Sequence, residues 1–204
     1  MLQLFKLPLV LFVSFTLGYN PIVTESQHQS IREFTDYSLD KTHSFVQFKV
    51  KRFGISYVYG TFNEIDGKLD YDLNTEEVSA TVTIEAKSIN SNLELRDKSL
   101  RGEKFLNVAN YPTITTQLVK LKTIENKQLA TIAVQLLGKT KSYEIPVELI
   151  TSAKDPTGKS TLAINGDLAL NTEDFQMKMN KKLPNGVPLI DNKVHLKFSL
   201  LFEE

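Results

Sequence analysis

From residue 46 onward, apolar and polar residues alternate over most of the chain, a period of two that marks strands with one buried face. Val46, Phe48 and Val50 alternate with Gln47, Lys49 and Lys51. Residues 55–62 carry Tyr57, Tyr59 and Phe62 around Gly60, where a bend or bulge is expected. Asp66-Gly67 has the form of a hairpin turn leading into a third strand at 68–72. The clearest strand is 78–87, with Val78, Ala80, Val82, Ile84 and Ala86 on one face and Ser79, Thr81, Thr83, Glu85 and Lys87 on the other. Such alternation argues for antiparallel strands rather than parallel ones buried on both faces. Further strands are expected at 113–119, 129–137 (Ala130, Ile132, Val134 and Leu136 inward), 142–150, 161–170 and 193–202.

The alternation stops between residues 91 and 112. Ser91 and Glu94 have the spacing of a capping box, which predicts a helix of about ten residues from near Asn92. Leu93 and Leu100 would share its inner face, and Gly102 would end it in the left-handed conformation. Tyr111 precedes Pro112 and is therefore extended, so a strand resumes at Thr113.

Short strands with one apolar face each, joined by turns such as Asp155-Pro-Thr-Gly158, predict an all-β fold: an antiparallel closed barrel of about eight strands, lipocalin-like in outline, with a short helix inserted after the 78–87 strand. Closure pairs the edge strands, and a barrel of this size is either filled by side chains or holds one small ligand. Every inward face is apolar, so a ligand would be apolar too.

Composition narrows the function. The chain has 204 residues, enough for one domain with a substantial core, and its 24 basic residues balance 24 acidic ones, which argues against a nucleic-acid partner. The absence of cysteine removes disulfides, thiolate metal sites and cysteine nucleophiles. Lys6 precedes an apolar run at 7–17 of signal-peptide length, so residues 1–18 are expected to be an export signal, 19–36 a polar linker and 37–204 the barrel. That places the mature protein in the periplasm or outside the cell; the alternative is an uncleaved anchor.

Four motifs then carry a resemblance. They are Tyr37-Ser-Leu-Asp40-Lys-Thr-His43-Ser44; Gly54-Ile-Ser56 with Gly60-Thr-Phe62; Arg96-Asp97 with Leu100-Arg101, Phe105 and Tyr111-Pro-Thr-Ile114; and Asp191-Asn-Lys-Val194. Over residues 37–202 the chain resembles the YceI-like family of exported bacterial proteins. The resemblance implies a lipocalin-like barrel that binds polyisoprenoid or other long-chain amphiphilic lipids without chemistry of its own. The chain departs from the family pattern at Leu106, where an aromatic is usual, and at Asn171-Thr-Glu-Asp174-Phe175-Gln176, where Arg-x-Asp-Phe-Gly is common.

On this reading the ligand-binding candidates are Phe48, Val50, Phe53, Tyr57, Tyr59, Phe62, Val82, Ile84, Leu93, Arg96, Leu100, Phe105, Ile114 and Ile132, with no catalytic residue, metal or cofactor. The aromatics either line a tunnel or fill the barrel, and Arg96 and Asp97 either grip a head group or pin the helix to the rim. His43 is either a general base or a strand-opening histidine bonded to its neighbours, and His28, His43 and His195 lack metal-ligand spacing. Burying about ten methylenes at ~0.8 kcal/mol each would supply roughly 8 kcal/mol before ordering costs, about micromolar affinity. The long connection at 171–191, with Met177, Met179, Lys178, Lys181 and Lys182, is expected to flank the open end, gate entry and make transient membrane contact. Oligomeric state stays open between monomer and homodimer. The competing function is a filled barrel that serves as an interaction module in the cell envelope.

Overall fold

The computed structural model describes residues 34–204 except 73, 74, 76, 178 and 180. The expected export signal and the linker up to residue 33 lie outside the described residues. Strands run in the order β1 (Phe34–Leu39), β2 (Phe45–Arg52), β3 (Ser56–Phe62), β4 (Ile65–Asp72), β5 (Val78–Glu85) and β6 (Ile89–Asn90). After a helix, α1 (Glu94–Arg101), come β7 (Thr113–Ile124), β8 (Lys127–Leu136), β9 (Lys139–Lys154), β10 (Ser160–Asn171) and β11 (Ile190–Glu203).

These eleven segments make eight staves. β1 and β2 pair with the same edge of β11, Leu39 opposite Phe202 and Val46 opposite Phe198. Likewise β3 and β4 pair with β2 and β1, and β5 and β6 with β4 and β3. Each of these three pairs is therefore one long strand with a break in it. From the third stave the ladder passes through β7, β8, β9 and β10 to β11, which closes on the first, every pairing antiparallel. Apart from the closing pair, neighbours in the barrel are neighbours in sequence, and closure of the last stave on the first leaves no long edge exposed along the eight staves.

The break in the first stave explains the Asp-x-x-His-Ser motif. Residues 40–44 bulge out of the ladder while Asp40 N–H donates to the Leu201 carbonyl at 2.8 Å and Leu201 N–H donates to Ser44 Oγ at 2.9 Å. Inside the bulge, Asp40 Oδ1 accepts the N–H groups of Thr42 and His43 at 2.8 and 3.1 Å, and Oδ2 lies 2.6 Å from His43 Nδ1. His43 is thus a strand-opening residue held by a carboxylate, on the outside of the barrel.

That hydrogen bond, reinforced by the carboxylate's charge, holds His43 above its ordinary pKa, and the same bond holds Asp40 below its own. Asp40 thus stabilises the fold above about pH 4, losing this as pH falls through its lowered value; His43 does so below about pH 6.5, losing it as pH rises through its raised value. An NMR titration should find His43 with a midpoint above about 6.5 that moves back towards it in Asp40→Asn. An identical midpoint in both proteins would show that the bulge is not held this way.

Several local expectations are corrected. β1 begins at Phe34, inside the expected linker, and its six residues are too few, with Tyr37 and Leu39 as the buried apolar pair of its second half, to stand out as an alternation. Asp66-Gly67 is not a turn but lies within β4, Gly67 opposite Val82, where a Cβ would approach the Thr81 carbonyl oxygen at 3.0 Å. The helix starts at Glu94, two residues late, without a side-chain cap, and Gly102 closes it with φ −70° rather than in the left-handed region. The Ser91 capping box does not form because Asp97 captures Ser91 instead.

The two ends of the barrel differ. α1, the β2–β3 and β8–β9 hairpins and the 171–189 connection cluster at one end; the β4–β5, β7–β8 and β9–β10 turns and the C-terminus lie at the other. The second end is packed solid by Tyr37, Leu39, Leu69, Tyr71, Leu162 and Phe202, with Leu69 and Phe202 wholly inaccessible. At the first end, within the 171–189 connection, Thr172–Phe175 forms a 3-10 turn, and Leu189 N–H donates to the Lys181 carbonyl at 2.8 Å.

Gln176 ends that turn with φ +62°, a conformation that costs a residue with a Cβ about 1–2 kcal/mol and glycine little. It stands where the family pattern has glycine. Gln176→Gly should therefore raise stability by about 0.5–1 kcal/mol in urea unfolding, after the entropy glycine forfeits. A loss of stability would mean that the glutamine side chain holds the turn.

Candidate functional site

Above the packed end the barrel is hollow, enclosing a cavity of about 190 Å³. For comparison, an apolar cavity of roughly 150 Å³ stays dry and admits a benzene-sized guest. Its wall is built from the inward positions that the alternation marked. Val46, Phe48 and Val50 come from β2, Ala80, Val82 and Ile84 from β5, Ala130, Ile132, Val134 and Leu136 from β8, and Val194, Leu196, Phe198 and Leu200 from β11. Leu100 of α1 and Phe105 and Leu106 of the segment after it close the wall at the loop-bearing end, together with Met177 and Met179.

No charged residue lines the cavity among the described residues, and its polar side chains are Thr116, Gln117 and Thr172. Thr172 Oγ1 is buried with no hydrogen-bond partner. Glycines make room for the aromatic part of the wall. Phe48 sits opposite Gly60, whose missing side chain leaves space for its ring, and Phe198 sits opposite Gly166, where a Cβ would lie 2.6 Å from the ring. The Phe48 and Phe62 rings then meet at 5.9 Å between centroids, tilted by 53°.

Of the fourteen residues expected to meet a ligand, Phe48, Val50, Phe62, Val82, Ile84, Leu100, Phe105, Ile114 and Ile132 line this cavity. Five do not. Tyr57 and Tyr59 point outward, about half exposed, because they have the opposite parity to Phe62 and the inward positions of β3 are Val58, Gly60 and Phe62. Phe53 occupies the β2–β3 corner at φ +55°, with the Arg52 guanidinium 4.0 Å above its ring. Leu93 precedes the helix and is 52% exposed.

Arg96 faces away from the cavity into a polar lock. Its Nε donates to Ser91 Oγ at 2.7 Å and its terminal nitrogen to the Ser91 carbonyl at 2.5 Å, while Ser91 N–H and Oγ donate to the buried Asp97 carboxylate. Arg101 adds bonds to the carbonyls of Lys87 and Ile89 at 2.8 and 3.2 Å. The Arg-Asp-x-x-Leu-Arg motif therefore pins α1 to the rim, leaving Leu100 to face inward. Thr172, which sequence reasoning left out, lies in a non-periodic connection where no alternation could point to the inside, and Met177 and Met179, expected beside the open end, line the cavity with it.

Behind that connection, Tyr143 Oη donates to Asp174 Oδ2 at 3.4 Å, and burial, with the nearby carboxylate, pushes its pKa up to about 12. No group of three or more His, Cys, Asp or Glu residues able to hold a metal gathers among the described residues.

An antiparallel barrel closed by eight staves, solid at one end and hollow and apolar at the other, defines a lipocalin-like barrel. The model of the YceI-like domain matches residues 37–202, and the chain belongs to the YceI-like family. It is 36% identical over 148 residues to a UPF0312 protein of Pseudomonas aeruginosa, covering 71% of this chain and 78% of that one. It is 34% identical over 146 residues to Protein YceI of Escherichia coli O157:H7, covering 70% and 76%.

Among solved structures, BcnA of Burkholderia cenocepacia superposes with a TM-score of 0.68 at 19% identity, over 80% of this chain and 98% of that chain. The Campylobacter jejuni YceI protein gives 0.64 at 26% identity, over 82% and 97%. A polyisoprenoid binding domain from Saccharophagus degradans, implicated in plant cell wall breakdown, gives 0.63 at 17% identity, over 82% and 97%.

Proposed function

We propose that this protein binds a long-chain lipid of isoprenoid or fatty-acyl type in its barrel and carries or sequesters it outside the cytoplasm, with no chemistry of its own. The observation that carries the reading is the uncharged cavity of about 190 Å³ in a barrel whose other end is packed solid. A void of this size forfeits dispersion contacts along its whole lining, so an apolar occupant gains both hydrophobic burial and packing. The polyisoprenoid binding domain of like fold supports the same class of ligand.

Met177 and Met179, unbranched and polarizable, lie where the 171–189 connection covers the cavity and suit a wall that must part and reclose over varied tails. Lys181 and Lys182 on that connection add positive charge for transient contact with an anionic lipid surface during loading. The test is titration of the delipidated protein with a fluorescent long-chain alcohol whose emission rises in an apolar site. A rise that saturates at one probe per chain and is reversed by unlabelled lipid supports the reading, whereas no saturable rise overturns it.

A further inference from the structure

Among the described residues the cavity pairs a wall without charge with one polar group left unspent. Thr172 is 2% exposed, lines the cavity, and its Oγ1 has no partner. Its backbone carbonyl is spent on the Met177 N–H at 3.0 Å, which fixes the residue at the head of the 3-10 turn. A buried hydroxyl left without a partner is costly, and such groups are normally paired. In helical backbone threonine divides between two χ1 wells, so one rotamer change turns the hydroxyl towards the lumen. Thr116 and Gln117 lie on β7 and are less buried, with access to solvent to satisfy them.

We infer that Thr172 is the hydrogen-bonding subsite of the lipid site and that it takes a neutral oxygen function, a hydroxyl or a carbonyl, at the end of the bound chain that lies under the Met177–Met179 connection. This rests on the lipid-binding reading and adds a selectivity to it. A threonine hydroxyl donates and accepts, so it serves either oxygen function. It cannot neutralise a charge, and with no cation among the described residues of the lining a buried phosphate or carboxylate would be stranded. Lipids with a charged end are therefore disfavoured relative to neutral ones of the same chain.

The test uses farnesol, the corresponding C15 hydrocarbon and farnesyl monophosphate as competitors for the fluorescent probe, on wild-type protein and on Thr172→Val and Thr172→Ser. Wild type should prefer the alcohol to the hydrocarbon by about 3–10-fold, the net worth of one hydrogen bond, and should bind the monophosphate more weakly than the alcohol. Thr172→Val keeps the shape but offers no partner, so it should bind the alcohol no better than the hydrocarbon, and Thr172→Ser should restore the preference. The ligand-free Thr172→Val protein should also melt roughly 2–4 °C higher, because an orphaned hydroxyl has been removed.

Equal affinity for alcohol and hydrocarbon in wild type, a preference that survives Thr172→Val, tighter binding of the monophosphate, or a lower melting temperature for Thr172→Val would each overturn the assignment. If neither alcohol nor hydrocarbon displaces the probe from wild type, the lipid-binding reading itself falls.

Discussion

Ala80→Phe should lower lipid affinity by roughly 100-fold while leaving the barrel folded. Ala80 lines the cavity from β5, opposite Leu118 of β7 across the ladder. A phenyl group there takes a benzene-sized share of about 190 Å³, and roughly 150 Å³ is what a benzene-sized guest needs. About four methylenes of lipid are then excluded at ~0.8 kcal/mol each, or ~3 kcal/mol, which sets the expected loss. The ring enters space that is already empty, so the overpacking that usually accompanies such a change is small. Thr81→Phe, one residue on and facing outward, should leave affinity unchanged. Equal affinities for the two variants, measured by probe displacement, would mean that the lipid lies elsewhere.

Phe202→Ala should destabilise the protein by about 3–5 kcal/mol. Its ring is wholly inaccessible in the solid end, where β11 pairs Phe202 with Leu39 on one side and Leu162 on the other. Gly67 brings the β4 backbone close, a Cβ there lying 3.5 Å from the ring. Such a site cannot collapse to fill the void, because its walls are hydrogen-bonded staves. For a domain of this size the melting temperature should fall by roughly 6–20 °C. Because the cavity lies beyond this layer, lipid affinity at a temperature where the variant is folded should be nearly unaffected. A loss under about 1 kcal/mol would show that the end is loosely packed rather than closed.

The contrast between these two residues shows what the sequence could and could not reveal. Alternation identified the inward face of β5, β8 and β11, and nearly all of those positions are buried or line the cavity. It could not separate Ala80 from Phe202, since both are inward; which layer is filled depends on side chains contributed by several staves at one height. Parity did hold information about Tyr57 and Tyr59, which cannot share a face with Phe62. Their aromatic character suggested a lining, but the strand geometry puts Gly60 inward to admit Phe48.

At the helix, Ser91 and Glu94 had the right spacing for a cap, and a buried Asp97 six residues on outbid the helix backbone for Ser91. Tertiary burial strengthens such a charge-assisted bond, and nothing in local spacing reports it. Thr172 was out of reach for a related reason: it enters the barrel from a connection with no period, whereas the length and composition of that connection did draw attention to Met177 and Met179. The eight-stave barrel itself was legible because each stave pairs with its sequence neighbour, so closure of the last on the first was the one long-range pairing to assume.

The account stands or falls on whether the hollow end holds lipid. Native mass spectrometry of the protein recovered from the cells that express it, before and after organic extraction, tests this most directly. The account predicts a single stoichiometric adduct with the mass of a long-chain lipid, removed by extraction and restored by incubation with that lipid. A protein that travels at its polypeptide mass alone, and stays there in excess lipid, would contradict it.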